Sequence, residues 1–117
     1  MNYIRALVQE AIKEKYQCVC LNSRGINTDM TSPVPFVGIE HTELQAALDL
    51  VESYFPRSPI YLVGTSFGGN YLLRYCAKHS RESVKALIAL APPFNVRQVV
   101  TDMGQVYQKF FVKRYIY

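Results

Sequence analysis

Long apolar runs, a cysteine framework, an excess of one charge sign and internal repeats are all missing from this sequence, and each absence removes a class of protein. No uninterrupted apolar stretch approaches the ~20 residues that span a bilayer, and Met1-Asn2-Tyr3-Ile4-Arg5 lacks the apolar core of a signal peptide. Nothing in these residues directs the chain to a membrane or out of the cell. A cytoplasmic protein, or one held at the cytoplasmic side of a membrane, is the default. The three cysteines, Cys18, Cys20 and Cys76, form an odd set with C-x-C spacing, which matches neither a disulfide framework nor a zinc-ligand pattern. They are expected to be reduced thiols buried as small apolar groups, and no metal or other cofactor is implied. The net charge of +4 is mild, and Lys and Arg are interleaved with Asp and Glu up to about residue 85, so no nucleic-acid footprint is present. Histidine is scarce as well: His41 and His79 are the full set.

What is present is enough apolar material for one small domain, since half of the 117 residues are hydrophobic. Ile4, Leu7, Val8, Ala11 and Ile12 recur at helical spacing over residues 3–15, with Arg5, Gln9, Lys13 and Glu14 opposite, which predicts an amphipathic helix. Residues 16–21 form a short apolar run that predicts a strand buried on both faces, and the turn Asn22-Ser23-Arg24-Gly25 follows. A long Thr-, Ser- and Pro-containing loop covers 25–38. Leu44, Ala47, Leu48, Val51 and Tyr54 restore the helical period over 39–54, and Pro56 and Pro59 stop it. Residues 60–63 predict a second buried strand, 64–69 a glycine-rich turn, and 70–78 a helix with Tyr71, Leu72, Tyr75 and Cys76 inward. Val84–Leu90 predicts a third strand. Beyond Pro92-Pro93, residues 96–117 read as helical, with Val99, Val100, Met103, Val106 and Phe110 on one face. This alternation predicts an α/β fold, a parallel sheet wrapped by helices through right-handed crossovers.

Gly64-Thr65-Ser66-Phe67-Gly68 fits G-x-S-x-G. Five residues with three fixed positions recur by chance, but here the motif directly follows an apolar strand and directly precedes a helix, which is the setting a nucleophile elbow requires. So tight a turn strains the serine backbone, and glycines two residues to either side leave room for strand and helix to approach. The geometry lifts the Ser66 hydroxyl clear of the sheet and aims the backbone N–H of Phe67, at a helix N-terminus, toward an oxyanion. Ser66 is therefore the candidate nucleophile, Phe67 the candidate oxyanion donor, and Gly64, Gly68 and Gly69 the elbow glycines. The competing interpretation is a plain strand-to-helix turn in which Ser66 caps the helix. A phosphate-binding loop is set aside for want of a Lys-Ser or Lys-Thr pair or a G-x-G-x-x-G.

The stretches Leu21-Asn22-Ser23-Arg24-Gly25, His41-Thr42-Glu43-Leu44 and Gly64-Thr65-Ser66-Phe67-Gly68-Gly69-Asn70-Tyr71-Leu72-Leu73-Arg74-Tyr75, in that order, resemble the abhydrolase-domain esterase and lipase group related to bacterial YheT, the AB hydrolase type 4 family. The resemblance runs from about Tyr3 to Pro93. It implies a partial α/β-hydrolase fold and a serine-dependent carboxylic-ester hydrolase acting on small esters or acylglycerols with an apolar acyl chain. One departure stands beside it. Relatives follow Arg-Gly with a small glycine-rich run, where this chain has Ile26-Asn27-Thr28-Asp29, which leaves the shape of that side of the pocket open.

A hydrolase of this class takes its triad in the order Ser, then Asp or Glu, then His. No histidine follows His79, which lies on the order of 15 Å down the helix from Ser66 and is expected to complement the helix dipole instead. His41 precedes Ser66 and reads as structural at a helix start. Asp102 and Asp29 read as surface carboxylates, and Arg24 as a brace for its turn through backbone carbonyls. The resemblance implies that the base, the acid and the second oxyanion donor lie outside these residues, and that a further strand belongs between the first and second strands named above. Without it, ladder groups would go unpaired at about 1–3 kcal/mol each, large against a typical stability of about 5–15 kcal/mol. The chain thus reads as an internal fragment of a domain about twice as long or longer, inactive by itself. Residues 1–117 are expected to be part of one domain, ending in the start of a cap. The aromatic, basic end, Phe110-Phe111-Val112-Lys113-Arg114-Tyr115, reads first as cap or core and second as a membrane-surface contact. A hydrolase-like module that only binds a partner is the alternative function.

Overall fold

Apolar residues recurring every three to four positions and two short apolar runs, 60–65 and 84–90, build the elements in the computed structural model of the chain. It describes residues 2–26, 29–30, 33, 36, 38–105, 107 and 109. In chain order these are α1 (Asn2–Lys13), α2 (Thr42–Tyr54), β1 (Ile60–Thr65), α3 (Phe67–Lys78), β2 (Val84–Leu90) and α4 (Val96–Asp102). The chain divides into two compact units, Met1–Leu50 and Val51–Tyr117. Among the described residues, no helix is long and apolar enough to cross a membrane.

In the first unit, α1 ends two residues earlier than its periodicity predicts. Lys15 takes a left-handed φ of 64°. Its N–H donates to the Ile12 carbonyl at 2.9 Å and the Tyr16 N–H to the Ala11 carbonyl at 2.9 Å, the paired bonds of a Schellman cap. Ile4, Leu7 and Ile12 on the apolar stripe stay exposed. Residues 16–21 are not the buried strand their composition predicts: they are irregular, Tyr16, Val19 and Leu21 are exposed, and the segment joins no ladder among the described residues. β-branched and aromatic residues fit a pleated surface, but a strand exists only where a neighbour supplies hydrogen bonds. Cys18 and Cys20 are exposed with it, which corrects the expectation of buried thiols.

Gly25, at φ 78°, closes the turn in which the Ile26 N–H reaches the Ser23 carbonyl at 3.0 Å. Arg24 ties this region to the start of α2 through a side chain: its Nε donates to Glu43 Oε1 at 2.6 Å, both residues being about three-quarters buried. In the loop that follows, Asn27 and Thr28 lie outside the described residues. His41 precedes α2, buried, and its carbonyl accepts from the Gln45 N–H at 2.8 Å. Leu44 and Leu48 are the buried positions of that helix.

The second unit holds a two-stranded parallel sheet of β1 and β2 with α3 packed on it. The register pairs Val63 with Ile88, Gly64 with Ala89 and Thr65 with Leu90. Tyr71, Leu72 and Tyr75 from α3 and Leu62 from β1 form the buried core. β1 is buried on one face only, with Tyr61 and Val63 exposed in place of the burial expected of it, and β2 has intermediate positions alternating with exposed ones such as Ile88 and Leu90. Cys76 also sits on the outer side of α3, exposed rather than in the core. Glu52 fastens the turn before β2, accepting from Arg81 Nη1 at 3.0 Å and from the Ser83 hydroxyl. α4 is opened by Asn95, whose Oδ1 accepts from the Gln98 N–H at 3.0 Å, and it stops at Asp102, so the helix expected over 96–117 is interrupted at Met103 and Gly104, with the described residues 105, 107 and 109 helical again. Met103 leaves with extended backbone and Gly104, a poor helix former, follows. Val106, Phe110 and the aromatic, basic end lie outside the described residues.

Candidate active site

β1 ends at Thr65 and α3 begins at Phe67, so the whole reversal from strand to helix falls on Ser66. The predicted turn over 64–69 is tighter than its glycines suggest, because Gly68 and Gly69 already lie within the helix. Ser66 takes φ 51° and ψ −124°, a region L-residues avoid at a cost of about 1–3 kcal/mol. Its backbone is held at both ends. The N–H donates to the Leu90 carbonyl at 2.8 Å, extending the ladder by one residue, and the carbonyl accepts from the Asn70 N–H at 3.2 Å, opening the helix. The side chain makes no capping hydrogen bond, and the residue is exposed. Ser66 thus occupies the N-cap position without acting as a side-chain cap, which removes the capping account of this serine.

The glycines divide into two kinds. A Cβ on Gly64 would stand 2.7 Å from the Gly68 carbonyl oxygen and 2.8 Å from the Gly69 nitrogen. A Cβ on Gly69 would stand 3.0 Å from the Gly64 oxygen. Strand and helix therefore meet across Gly64 and Gly69. Gly68 faces open space, with nothing within 4 Å of a Cβ there, so the symmetric pair expected from the motif is displaced by one residue. Phe67 follows Ser66 as the first residue of α3, at the positive end of the helix dipole, and is exposed.

Residues that the sequence left without a role complete the surroundings. Asn70, in the next turn of α3, is 9 % exposed, and its Nδ2 donates to the Pro93 carbonyl at 2.9 Å. Ala91, just past β2, has a left-handed φ of 47°. A polar amide at a buried helix position is the sequence signal that points to Asn70, since such a group is retained where a carbonyl meets it.

The other candidates sit on other segments or at the far end of α3. His79 closes α3: its N–H donates to the Tyr75 carbonyl at 2.9 Å and its ring stacks on Tyr75 with centroids 5.0 Å apart. Thirteen residues of helix rise separate it from Ser66, about 20 Å, so His79 is no base for that hydroxyl. An open cleft lined by Tyr75, Lys78, His79 and Arg81 lies at that same far end. Asp102 accepts from Gln98 Nε2 at 3.2 Å on the exposed end of α4, and Asp29 is exposed in the first unit, both as surface carboxylates. His41 belongs to the first unit, at the head of α2.

The sequence profile of the alpha/beta hydrolase fold matches residues 1–116. The chain is similar to monoacylglycerol lipase ABHD2 of Mus musculus, 31 % identical over 91 residues, covering 76 % of this chain and 21 % of the relative. It is similar to ABHD2 of Danio rerio, 29 % identical over 92 residues, 77 % of this chain and 22 % of the relative. With phospholipase ABHD3 of Mus musculus it shares 30 % identity over 78 residues, 66 % of this chain and 19 % of the relative. The chain spans about a fifth of the length of the curated relatives it matches. No solved structure matches it significantly.

Proposed function

The chain belongs to the alpha/beta hydrolase fold family, and from that premise we propose that it carries the nucleophile elbow of a carboxylic-ester hydrolase acting on lipid esters. The observation that carries this reading is the backbone of Ser66, strained at φ 51° and ψ −124°, with its hydroxyl committed to no helix cap. Strain of this kind persists where surrounding structure over-determines it, and here it holds the serine at the tip of the joint. Relatives named as a monoacylglycerol lipase and a phospholipase support a lipid ester as the substrate class. The three landmarks around Arg24, His41 and Ser66 support placement within the YheT-related esterase and lipase group.

In this reading Ser66 Oγ attacks the acyl carbonyl while an imidazole accepts its proton. The Phe67 N–H stabilises the oxyanion, helped by the dipole of α3. The imidazole returns the proton to the departing alcohol, and water then cleaves the acyl-serine ester to release the acid and restore Ser66. The base and its carboxylate partner come from sequence beyond these 117 residues, in keeping with the far greater length of the relatives. Residues 1–117 form part of one hydrolase domain, with the segment after Pro93 as the start of a cap.

The test is hydrolysis of p-nitrophenyl butyrate and of a monoacylglycerol by the full protein and by its Ser66→Ala variant. Loss of about a thousandfold or more in kcat, with folding intact, supports the reading; equal rates overturn it. The remoteness of His79 favours one other reading, a hydrolase-like module that binds without turnover. Binding of the monoacylglycerol with no hydrolysis by the full protein would select it.

A further inference from the structure

Resting on the assignment of Ser66 as nucleophile, we propose that Asn70 is a positioning residue that holds residues 91–94 as one wall of the acyl site, with Phe94 as the side chain that selects the acyl chain. The segment after β2 runs in step with the first turn of α3. Leu90 accepts from Ser66 through backbone at 2.8 Å, Pro92 Cβ lies 3.3 Å from where a Cβ on Gly69 would stand, and the Pro93 carbonyl receives the Asn70 amide at 2.9 Å. Pro92 and Pro93 have no N–H to donate, so two of the four residues of this stretch offer no amide to hold it. The Asn70 side chain supplies a donor. Asn is a poor helix former, and burying its amide is costly, so its place on the covered face of α3 is offset by that hydrogen bond.

The latch has a consequence at the next residue. Phe94 is 82 % exposed, beside a carbonyl fixed to α3 one turn, about 6 Å of axial rise, from Ser66. Phe67 and Leu90, which flank the serine in sequence and in register, are exposed apolar residues as well. An alkyl chain attached to the carbonyl that Ser66 attacks leaves the serine across such a surface, and an aromatic ring held there gains contact with each added methylene. If the ring's carrier segment were loose, ordering it would offset that gain.

Steady-state kinetics of the full protein with p-nitrophenyl acetate and p-nitrophenyl dodecanoate test the proposal, with fluorophosphonate labelling of Ser66 run alongside. Phe94→Ala, at an exposed position that does not support the core, is expected to lower kcat/KM for the dodecanoate about tenfold while leaving the acetate within about twofold. Asn70→Ala and Asn70→Asp, which remove the donor, are expected to reproduce that profile, mainly through KM. An Asn70 variant that depresses both esters equally has a merely structural role and overturns the latch. An unchanged dodecanoate-to-acetate ratio in Phe94→Ala overturns the wall, and that variant decides alone if the Asn70 variants do not fold. A wild-type protein that hydrolyses neither ester and leaves Ser66 unlabelled overturns the nucleophile assignment itself, a result distinct from the other two.

Discussion

The backbone of Ser66 is the mirror image, in φ and ψ, of an extended conformation that any L-residue adopts with ease, which is why it suits glycine and strains serine. Ser66→Gly is therefore expected to raise stability by about 1 kcal/mol in urea denaturation while abolishing hydrolysis. The neighbouring glycines separate by the same logic. Gly64→Ala drives a methyl into the backbone of Gly68 and Gly69, and a loss of about 3 kcal/mol is expected. Gly68→Ala meets nothing and sits in a helix, so it is expected to stabilise by up to about 1 kcal/mol. Thermal melts of the two variants moving in the same direction would contradict this packing. The motif was legible in the sequence, along with the strand before it and the helix after it. Which glycine touches which was not, because the contact depends on where the helix begins, and α3 begins at Phe67 rather than Asn70. Cys76 carries a related lesson: periodicity put it inward, yet it is exposed, with partial burial still pushing its thiol upward from the ordinary value. Its thiolate fraction at neutral pH falls as a result, so its alkylation by iodoacetamide is expected to be slow there and to accelerate as pH rises.

At the scale of elements, local signals served helices better than strands. α2, β1 and α3 appear within two or three residues of where apolar period and proline stops place them, and β2 has the same bounds. The end of α1 was not legible because its cap uses Lys15, where a glycine would have announced it. Lys15→Gly relieves a left-handed lysine and is expected to add about 0.5–1 kcal/mol, read as a higher urea midpoint. An unchanged midpoint would mean that the cap is frayed in solution. Residues 16–21 show the limit of composition: strand formation requires a partner that no local pattern encodes. The turn before β2 is held by Glu52, which meets both Arg81 and Ser83. Because Glu52 and Arg81 are only part-buried, Glu52→Ala is expected to cost no more than about 1–2 kcal/mol.

At the scale of the whole molecule, the chain holds a strand–turn–helix–strand portion of the alpha/beta hydrolase fold, and every feature of the proposed site lies in the second compact unit. The family was legible because the proposed elbow is a local structure whose steric demands are written in consecutive residues. A base for the proposed nucleophile was not, because triad partners are brought together by topology and neither histidine of this sequence follows the order Ser, acid, His. The central claim is that the strain at Ser66 serves a reactive hydroxyl. Its most direct test is treatment of a lysate with a fluorophosphonate probe, which reacts with activated serines, followed by peptide mapping. The account predicts a label on the Ser66 peptide that disappears in Ser66→Ala; detection of the protein with an unlabelled Ser66 would contradict it.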